Sequence, residues 1–499
     1  MRSIADYFVE CNDILRSIDS FVRRYIGNGL LRKCGITKIV DDVTEEPELE
    51  YHDNPIARLI GDKKDSKFLE KIVSAAEILK DKLVVCFFPG SSYQMFKTNT
   101  FFGGYKKDTF YRFDTRPQAN WERLHLETAR NVIMDIESET TKTHSRALVF
   151  DDSLYQRTGG KGTDLCAKVF DHNDCKLRLG YRMMTGGWTN GELFVPFSQC
   201  LLTTRNEKLM VGPDEHIDGR TLRGKRRALA KEKGTVVVQK MVEMAKKAEI
   251  PFDYVMFDTW FSNPSQICAL RKLDTHVIAM VKKNSTKYIC TDPATGEDIK
   301  LDIKEIYSRN KKRRGRSKYL LSVDVRIPDG KDGSIPVKLV YARNRNNRKD
   351  WVCFVCTNMQ MAEEAVLQAY TMRWSIETYF KMCKSYLKLR TECHSPNYDA
   401  ITAHMVIVAI RYMILVVERF RNTDNRSVQD LFYGVQREIM DKMIGQAVVT
   451  IIDALLSTVQ HHFHISDEQM MDLLRDFVDN LPKEWKCRFS LPDSPCNAA

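Results

Sequence analysis

The sequence predicts an α/β protein: a mixed sheet with flanking helices, interrupted by a β-rich insertion and framed by helical N- and C-terminal parts. Three observations predict it. Two short, mostly apolar runs, at 146–150 and 252–257, each stop at an acid, Asp151 and Asp258. Buried strands that deliver carboxylates to a sheet edge end this way. Around them strand-like and helix-like segments alternate, as they do in βαβ units. A third acid, Glu377, then falls on a stretch without Gly or Pro, 369–384, that reads as helix.

Composition bounds the rest. The chain has 499 residues, of which 43% are hydrophobic and 29% charged, so a soluble globular protein is expected rather than a disordered one. A net charge of +11 favours an anionic partner. The 14 cysteines are scattered, which suits reduced thiols better than a disulfide framework. The C-x-x-C from Cys353 to Cys356 lies in an apolar strand and reads as structural. The N-terminal Met1-Arg2-Ser3-Ile4-Ala5-Asp6 has no apolar signal core. The apolar run 405–417 is too short to span a bilayer and reads as a core helix. No membrane association is expected, and the reduced thiols place the chain in a cytoplasm.

In chain order, residues 1–140 form a mostly helical region, with an amphipathic helix over 68–82. Aromatics mixed with cations at 109–113 and 120–124 could grip a nucleic-acid backbone or build a helical core with charged edges. The strand 146–150 opens the next region, 141–283, and segments 165–170, 177–184 and 192–197 follow as an antiparallel meander. Residues 219–233 carry seven Lys or Arg against one Glu, a bias that favours phosphate contact over a solvated connector. A helix over 236–247, the strand 252–257, a helix over 263–272 and a strand over 275–281 complete it. Residues 284–358 read as a β-rich insertion with basic loops, the strongest being 309–318. Arg343, Arg345, Arg348 and Lys349 form a second basic cluster there. Region 359–420 holds a helix over 362–389 and an apolar helix over 400–420. Helices over 427–460 and 467–480 fill a C-terminal part, 421–499, suited to oligomerisation. His461, His462 and His464 mark a helix end rather than a metal site.

Chemistry concentrates on the helix that holds Glu377. At about 100° per residue, Tyr370, Arg373, Glu377 and Lys384 share one stripe roughly 60° wide. An apolar stripe, Ala369, Ile376, Phe380, Cys383 and Leu387, runs beside it and docks the helix. A carboxylate among two cations and a phenol can meet a metal ion and a phosphate together. With Asp151 and Asp258 the order becomes meander, helix, strand with acid, helix, strand, then helix with acid. This is the order of the ribonuclease H-like fold. Three carboxylates at one sheet edge can hold two Mg²⁺ ions about 4 Å apart, which suits in-line phosphodiester displacement.

The spacing Tyr370-(2)-Arg373-(3)-Glu377-(6)-Lys384 resembles the Y-(2)-R-(3)-E-(6)-K signature of bacterial insertion-sequence transposases of the IS-four family, which are DDE recombinases. Asp151-Asp152-Ser153 resembles their first site, D-x-[ST], and Asp258-Thr259-Trp260-Phe261 their second. The resemblance covers about residues 140 to 420. It implies that Asp151, Asp258 and Glu377 bind two Mg²⁺ ions, for which Mn²⁺ can substitute, and that Tyr370, Arg373 and Lys384 contact the DNA backbone. It also implies a transposase that cuts double-stranded DNA at terminal inverted repeats and joins the ends to a target, as a homodimer on paired ends. The D-x-[ST] register favours Asp151 over Asp152 as ligand, since strand alternation lets only one of them face the metals. Some relatives stack a flipped base on a Trp of the insertion; Trp351 is the candidate here, and a core Trp is the stronger reading. Two rival functions are a structure-selective nuclease of the same fold and a DNA-binding relative without chemistry.

Overall fold

The computed structural model describes residues 13–37, 39–44, 68–97, 105–140, 144–171, 174–292, 295–313, 317–330, 333–345, 347, 349–422 and 426–482. Met1 to Asp6, the middle of the 309–318 run at 314–316, and Arg348 lie outside them.

The N-terminal part contains helices α1 (Asp13–Phe21) and α2 (Gly27–Lys33), then strands β1 (Ile39–Thr44) and β2 (Phe68–Val73) paired antiparallel. The helix expected over 68–82 therefore starts late. Residues 68–73 pair with β1, and α3 (Ala75–Val84) begins behind Ser74, whose side chain and Glu77 form a capping box. Two short helices, α4 (Ser92–Lys97) and α5 (Lys107–Arg112), lead to α6 (Trp121–Glu139). Asn120 caps α6 by accepting from the Arg123 N–H at 2.9 Å. Trp121, Leu124, His125, Thr128, Val132 and Ile136 recur at helical spacing and are buried.

The centre is an 11-stranded sheet. Its first half comprises β3 (Ala147–Gln156), β4 (Ala167–Asp171), β5 (Lys176–Thr189) and β6 (Phe194–Leu202). The helices α7 (Leu222–Ala230) and α8 (Gly234–Lys247) follow, then β7 (Tyr254–Phe257), α9 (Pro264–Lys272) and β8 (His276–Val281). β6, β5 and β3 are antiparallel neighbours, and β7 and β8 continue from β3 in parallel. This mixed sheet with flanking helices is a ribonuclease H-like arrangement. Residues 147–150 are fully buried because β3 is central, so its apolar run is continuous rather than alternating.

The meander differs from expectation at one strand. β3 pairs with β5, not with β4, while β4 and β6 share the other edge of β5 end to end. Gly180 is the handover point. It pairs with Gln156 on one side and Ala167 on the other, at φ +151°, and a Cβ there would lie 2.1 Å from the Tyr155 carbonyl oxygen.

The segment after β8 extends the same sheet. β9 (Lys287–Thr291), β10 (Asp298–Asp302), helix α10 (Ile303–Arg309), β11 (Tyr319–Asp329), β12 (Gly333–Arg343) and β13 (Trp351–Cys356) follow in sequence. β13 pairs antiparallel with β8 and carries β12, β11, β9 and β10 outward. Helices α11 (Glu363–Thr371) and α12 (Ser375–Ser385) return to the centre through a 3₁₀ turn at Met372–Trp374. The single helix expected over 362–389 is thus broken in the middle of its polar stripe. The last helices are α13 (Tyr398–Arg421), α14 (Val428–Phe463) and α15 (Asp467–Asn480). α13 is long and apolar enough to cross a membrane, but its most apolar window is wholly buried inside the protein. Arg411 in its middle is fully buried and donates to both Glu392 oxygens, at 2.8 and 2.9 Å. α14 ends at a left-handed His464, as the histidine cluster was read.

Candidate active site

Strand register builds the first half of the site. β3 and β7 run parallel with Phe150 opposite Phe257, so Asp151 and Asp258 are the next residues on adjacent strands. Neighbouring strands lie about 4.8 Å apart. β7 stops at Phe257 while β3 continues, which opens the sheet edge beside Asp151. The Asp258 carboxylate is fixed by the Trp260 N–H, which donates to Oδ1 at 2.9 Å. Asp151 Oδ1 accepts from the Asp152 N–H at 2.8 Å. Burial, then the charge of Asp258, pushes the Asp151 carboxyl up to about 7.

The second half comes from the broken helix. One Arg373 nitrogen lies 3.4 Å from Asp151 Oδ2 and another donates to Glu377 Oε1. Burial opposes the charge on Arg373, but Tyr370, Glu377 and Asp151 outweigh it and raise its pKa. Lys384 Nζ donates to Ser153 Oγ, and burial lowers its pKa. Asp151 and Ser153 share one face of β3, and α12 lies over that face. Asp152 lies on the other, where Arg182 of β5 donates to both its oxygens at 3.0 and 2.9 Å.

Of the residues singled out in the sequence, Asp151, Arg373 and Glu377 are joined directly. Asp258 is beside Asp151, and Lys384 is two strand residues away. Tyr370 is only 9% exposed. Its ring packs 4.8 Å from Phe354 and its hydroxyl donates to the Phe257 carbonyl at 3.4 Å, just ahead of Asp258. It braces the strand end rather than lying open to a ligand. Among the described residues no three acids, histidines or cysteines are drawn into a ready metal cage, and the Arg373 guanidinium stands between Asp151 and Glu377. The donor chemistry nonetheless fits a hard divalent cation. The set is all carboxylate oxygen.

Other expectations need correction. The basic run 219–233 is consumed in part inside the fold, with Lys225 and Lys233 left exposed. Arg226 and Arg227 are buried, and with Arg223 they pair with Asp399; Arg226 also takes Glu122, and Arg227 takes Asp164. Arg220 pairs with Asp218 and Lys231 with Asp214. Those acids are distant or unremarkable in sequence, so the run looked uncompensated. In the 309–318 run, Lys312 and Arg313 lie over the rings of Tyr307 and Tyr319 on a displayed loop. Trp351 is half-buried: it stacks on Tyr307 at 4.7 Å, meets Tyr341 edge-on and has the Lys283 ammonium 4.3 Å from its ring centroid. The sequence reading missed Arg182. Strand alternation could have found Arg182, which faces the same side as Asp152.

Two family models match the chain. One, a transposase DDE domain, matches residues 220–414. The other, a DDE superfamily endonuclease, matches residues 92–298. The first contains Asp258, Tyr370, Arg373, Glu377 and Lys384, the second Asp151 and Asp258. No curated protein matches the chain. The two matches support a DDE transposase, and the narrower likeness to the IS-four family is consistent with them.

Proposed function

We propose that this DDE transposase cuts an insertion sequence at its terminal inverted repeats and joins the freed ends to target DNA. The observation that carries the reading is the Arg373 bridge between Asp151 and Glu377, beside an Asp258 in register with Asp151. A protein cation rests between two of the acids, next to a helix that also carries Lys384. Asp151, Asp258 and Glu377 would hold two Mg²⁺ ions, with Mn²⁺ able to substitute; when bound, these neutralise phosphate charge and activate a water or 3′-hydroxyl. The remaining work falls to the chain. Arg373, freed from one acid, offers a planar fork to a phosphate. Lys384 adds a point charge two strand residues further on. Tyr370 fixes the end of β7, and through it Asp258. Asp152, tied to Arg182, stays off the metals.

The flanking parts take their roles from position. Residues 1–140 would bind the DNA ends, 284–358 would present basic loops to the duplex, and 421–499 would pair two copies as a homodimer in a bacterial cytoplasm. Genomic DNA flanking the gene supplies the test substrate. With Mg²⁺, cleavage at its inverted repeats and joining to a plasmid are expected. Asp151→Ala, Asp258→Ala and Glu377→Ala should each abolish cleavage and leave end binding intact, whereas Asp152→Ala should retain it. Cutting of branched DNA without joining would move the chain to a structure-selective nuclease. Binding without cleavage would make it a DNA-binding relative.

A further inference from the structure

Strand β6 is buried along its whole length, yet it carries an amide, Gln199. Pairing sets Gln199 opposite Thr185 of β5, and Thr185 opposite Asp151 of β3. Directly paired residues share a face of the sheet, so the three form one row on the face that α12 covers. Gln199 Nε2 donates to Thr185 Oγ1 at 3.2 Å and to Tyr379 Oη at 2.9 Å. Tyr379 is a buried residue of α12, two positions after Glu377. One amide therefore ties the helix that carries Glu377 to the row that ends in Asp151.

The link is a poor source of stability. The Gln199 carbonyl oxygen is buried and has no hydrogen-bond partner among the described residues. A buried acceptor left unmatched offsets what the two N–H bonds contribute, and apolar side chains of the same shape would avoid that loss. What they would not supply is direction. The rest of the buried face of α12, Ile376, Phe380 and Cys383, docks by apolar contact, which is non-directional. A hydrogen bond fixes both a distance and an angle. The polar ties nearer the acids, Arg373 to Asp151 and Lys384 to Ser153, use the very cations assigned to DNA. Gln199 works from behind the site and keeps its bonds when DNA takes those cations. Glu377 stands about 200° around the helix from Tyr379, so any turn or slide of α12 moves its carboxylate. We infer that Gln199 is a positioning residue: through Tyr379 and Thr185 it holds α12 in register with β3 and so sets where Glu377 stands relative to Asp151. The inference rests on the DNA-processing reading and deepens it at the same site.

The test separates position from stability in the full chain. Tyr379→Phe leaves a Gln199 N–H buried without its acceptor and should lower both the melting temperature and single-turnover cleavage of end DNA. The triple variant Gln199→Leu, Thr185→Val, Tyr379→Phe removes every polar atom of the link and keeps its shape. Its melting temperature should return to near the wild-type value, because no polar group of the link is left unpaired. Its cleavage should stay low, roughly 10- to 100-fold below wild type, the range for a catalytic group displaced by about 1 Å. End-DNA binding in EDTA should be unchanged. The rise in melting temperature that Mn²⁺ produces should shrink, as it does in Glu377→Ala, because the third carboxylate is misplaced. Thr185→Ser keeps a hydroxyl and should cleave close to the wild-type rate. Wild-type cleavage by the triple variant overturns the positioning role. So does a triple variant that melts as low as Tyr379→Phe, or one that loses end binding together with cleavage. A wild type that does not cleave end DNA overturns the DNA-processing reading itself.

Discussion

Arg373→Lys keeps the charge of the central bridge and removes its fork. The guanidinium reaches Asp151 with one nitrogen, at 3.4 Å, and Glu377 with another. A lysine ammonium on an unbranched stem reaches one acid at a time. A shielded charge-assisted hydrogen bond contributes about 1.5–3 kcal/mol. The Glu377 side chain is 35% exposed, so solvent screening leaves about 1 kcal/mol of stability at stake. For a chain of this size the melting temperature then falls by about 4 °C at most. The catalytic loss is larger if the fork grips a phosphate in the transition state. Losing one such hydrogen bond, about 1.5–3 kcal/mol, slows the reaction roughly 10- to 150-fold. Single-turnover cleavage and strand transfer on end DNA should show that loss, while Mn²⁺ titration shows binding at least as tight as in the wild type. Wild-type cleavage by Arg373→Lys would refute the clamp. The bridge would then serve only to fix α12 against β3, and Arg373→Ala would show its effect in melting temperature.

Three further outcomes follow from the charge network. Arg226→Met breaks a buried cluster with Glu122 and Asp399 and should destabilise the protein by about 3–5 kcal/mol; urea unfolding measures this, and a flattened salt slope of DNA binding without destabilisation would return the 219–233 run to phosphate contact. Replacing Lys311, Lys312 and Arg313 together by Ala should do the reverse, flattening that slope by up to about 0.9 per lost contact with stability unchanged. Glu392 sets an acid limb. Burial would raise its carboxyl, but Arg411, then His404 and Lys82, outweigh burial and hold it down to about 2. The unfolded value is about 4.3. Between those values the unfolded chain takes up the proton and the folded chain does not, so this contribution is full above about pH 5 and is lost as pH falls toward 2. Glu392→Gln should lose that limb in circular dichroism titrations, and an unchanged limb would show that other carboxylates control it.

Much of the site was legible because its parts are local. A buried apolar run must stop where the strand leaves the core, so 146–150 and 252–257 pointed to Asp151 and Asp258 without any knowledge of neighbours. Helical spacing placed Arg373, Glu377 and Lys384 on one stripe. It did not show the 3₁₀ turn at Met372–Trp374, because no Gly or Pro marks it. It did not show that Tyr370 faces inward onto Phe354 and the Phe257 carbonyl either. A residue at the edge of a buried face can turn either way until its neighbour across the interface is known.

The sequence by itself determined which segments are strands and helices over most of the core, their order, and which acids end them, since periodicity and chain stops are written within a few residues. Only the tertiary structure decided pairing. It set β3 against β5 rather than β4, through a glycine whose side-chain space is filled by the Tyr155 carbonyl. It joined β13 to β8, so that the insertion widens one sheet. It also decided what each charge does. Arg226 finds Glu122 and Asp399 at sequence separations of 104 and 173, and Asp152 finds Arg182 across a strand. A basic run and a pair of adjacent acids read alike whether they face solvent, DNA or each other, because the interaction energy of a charge is fixed by its distance to partners and by their burial, and neither quantity is local to the chain.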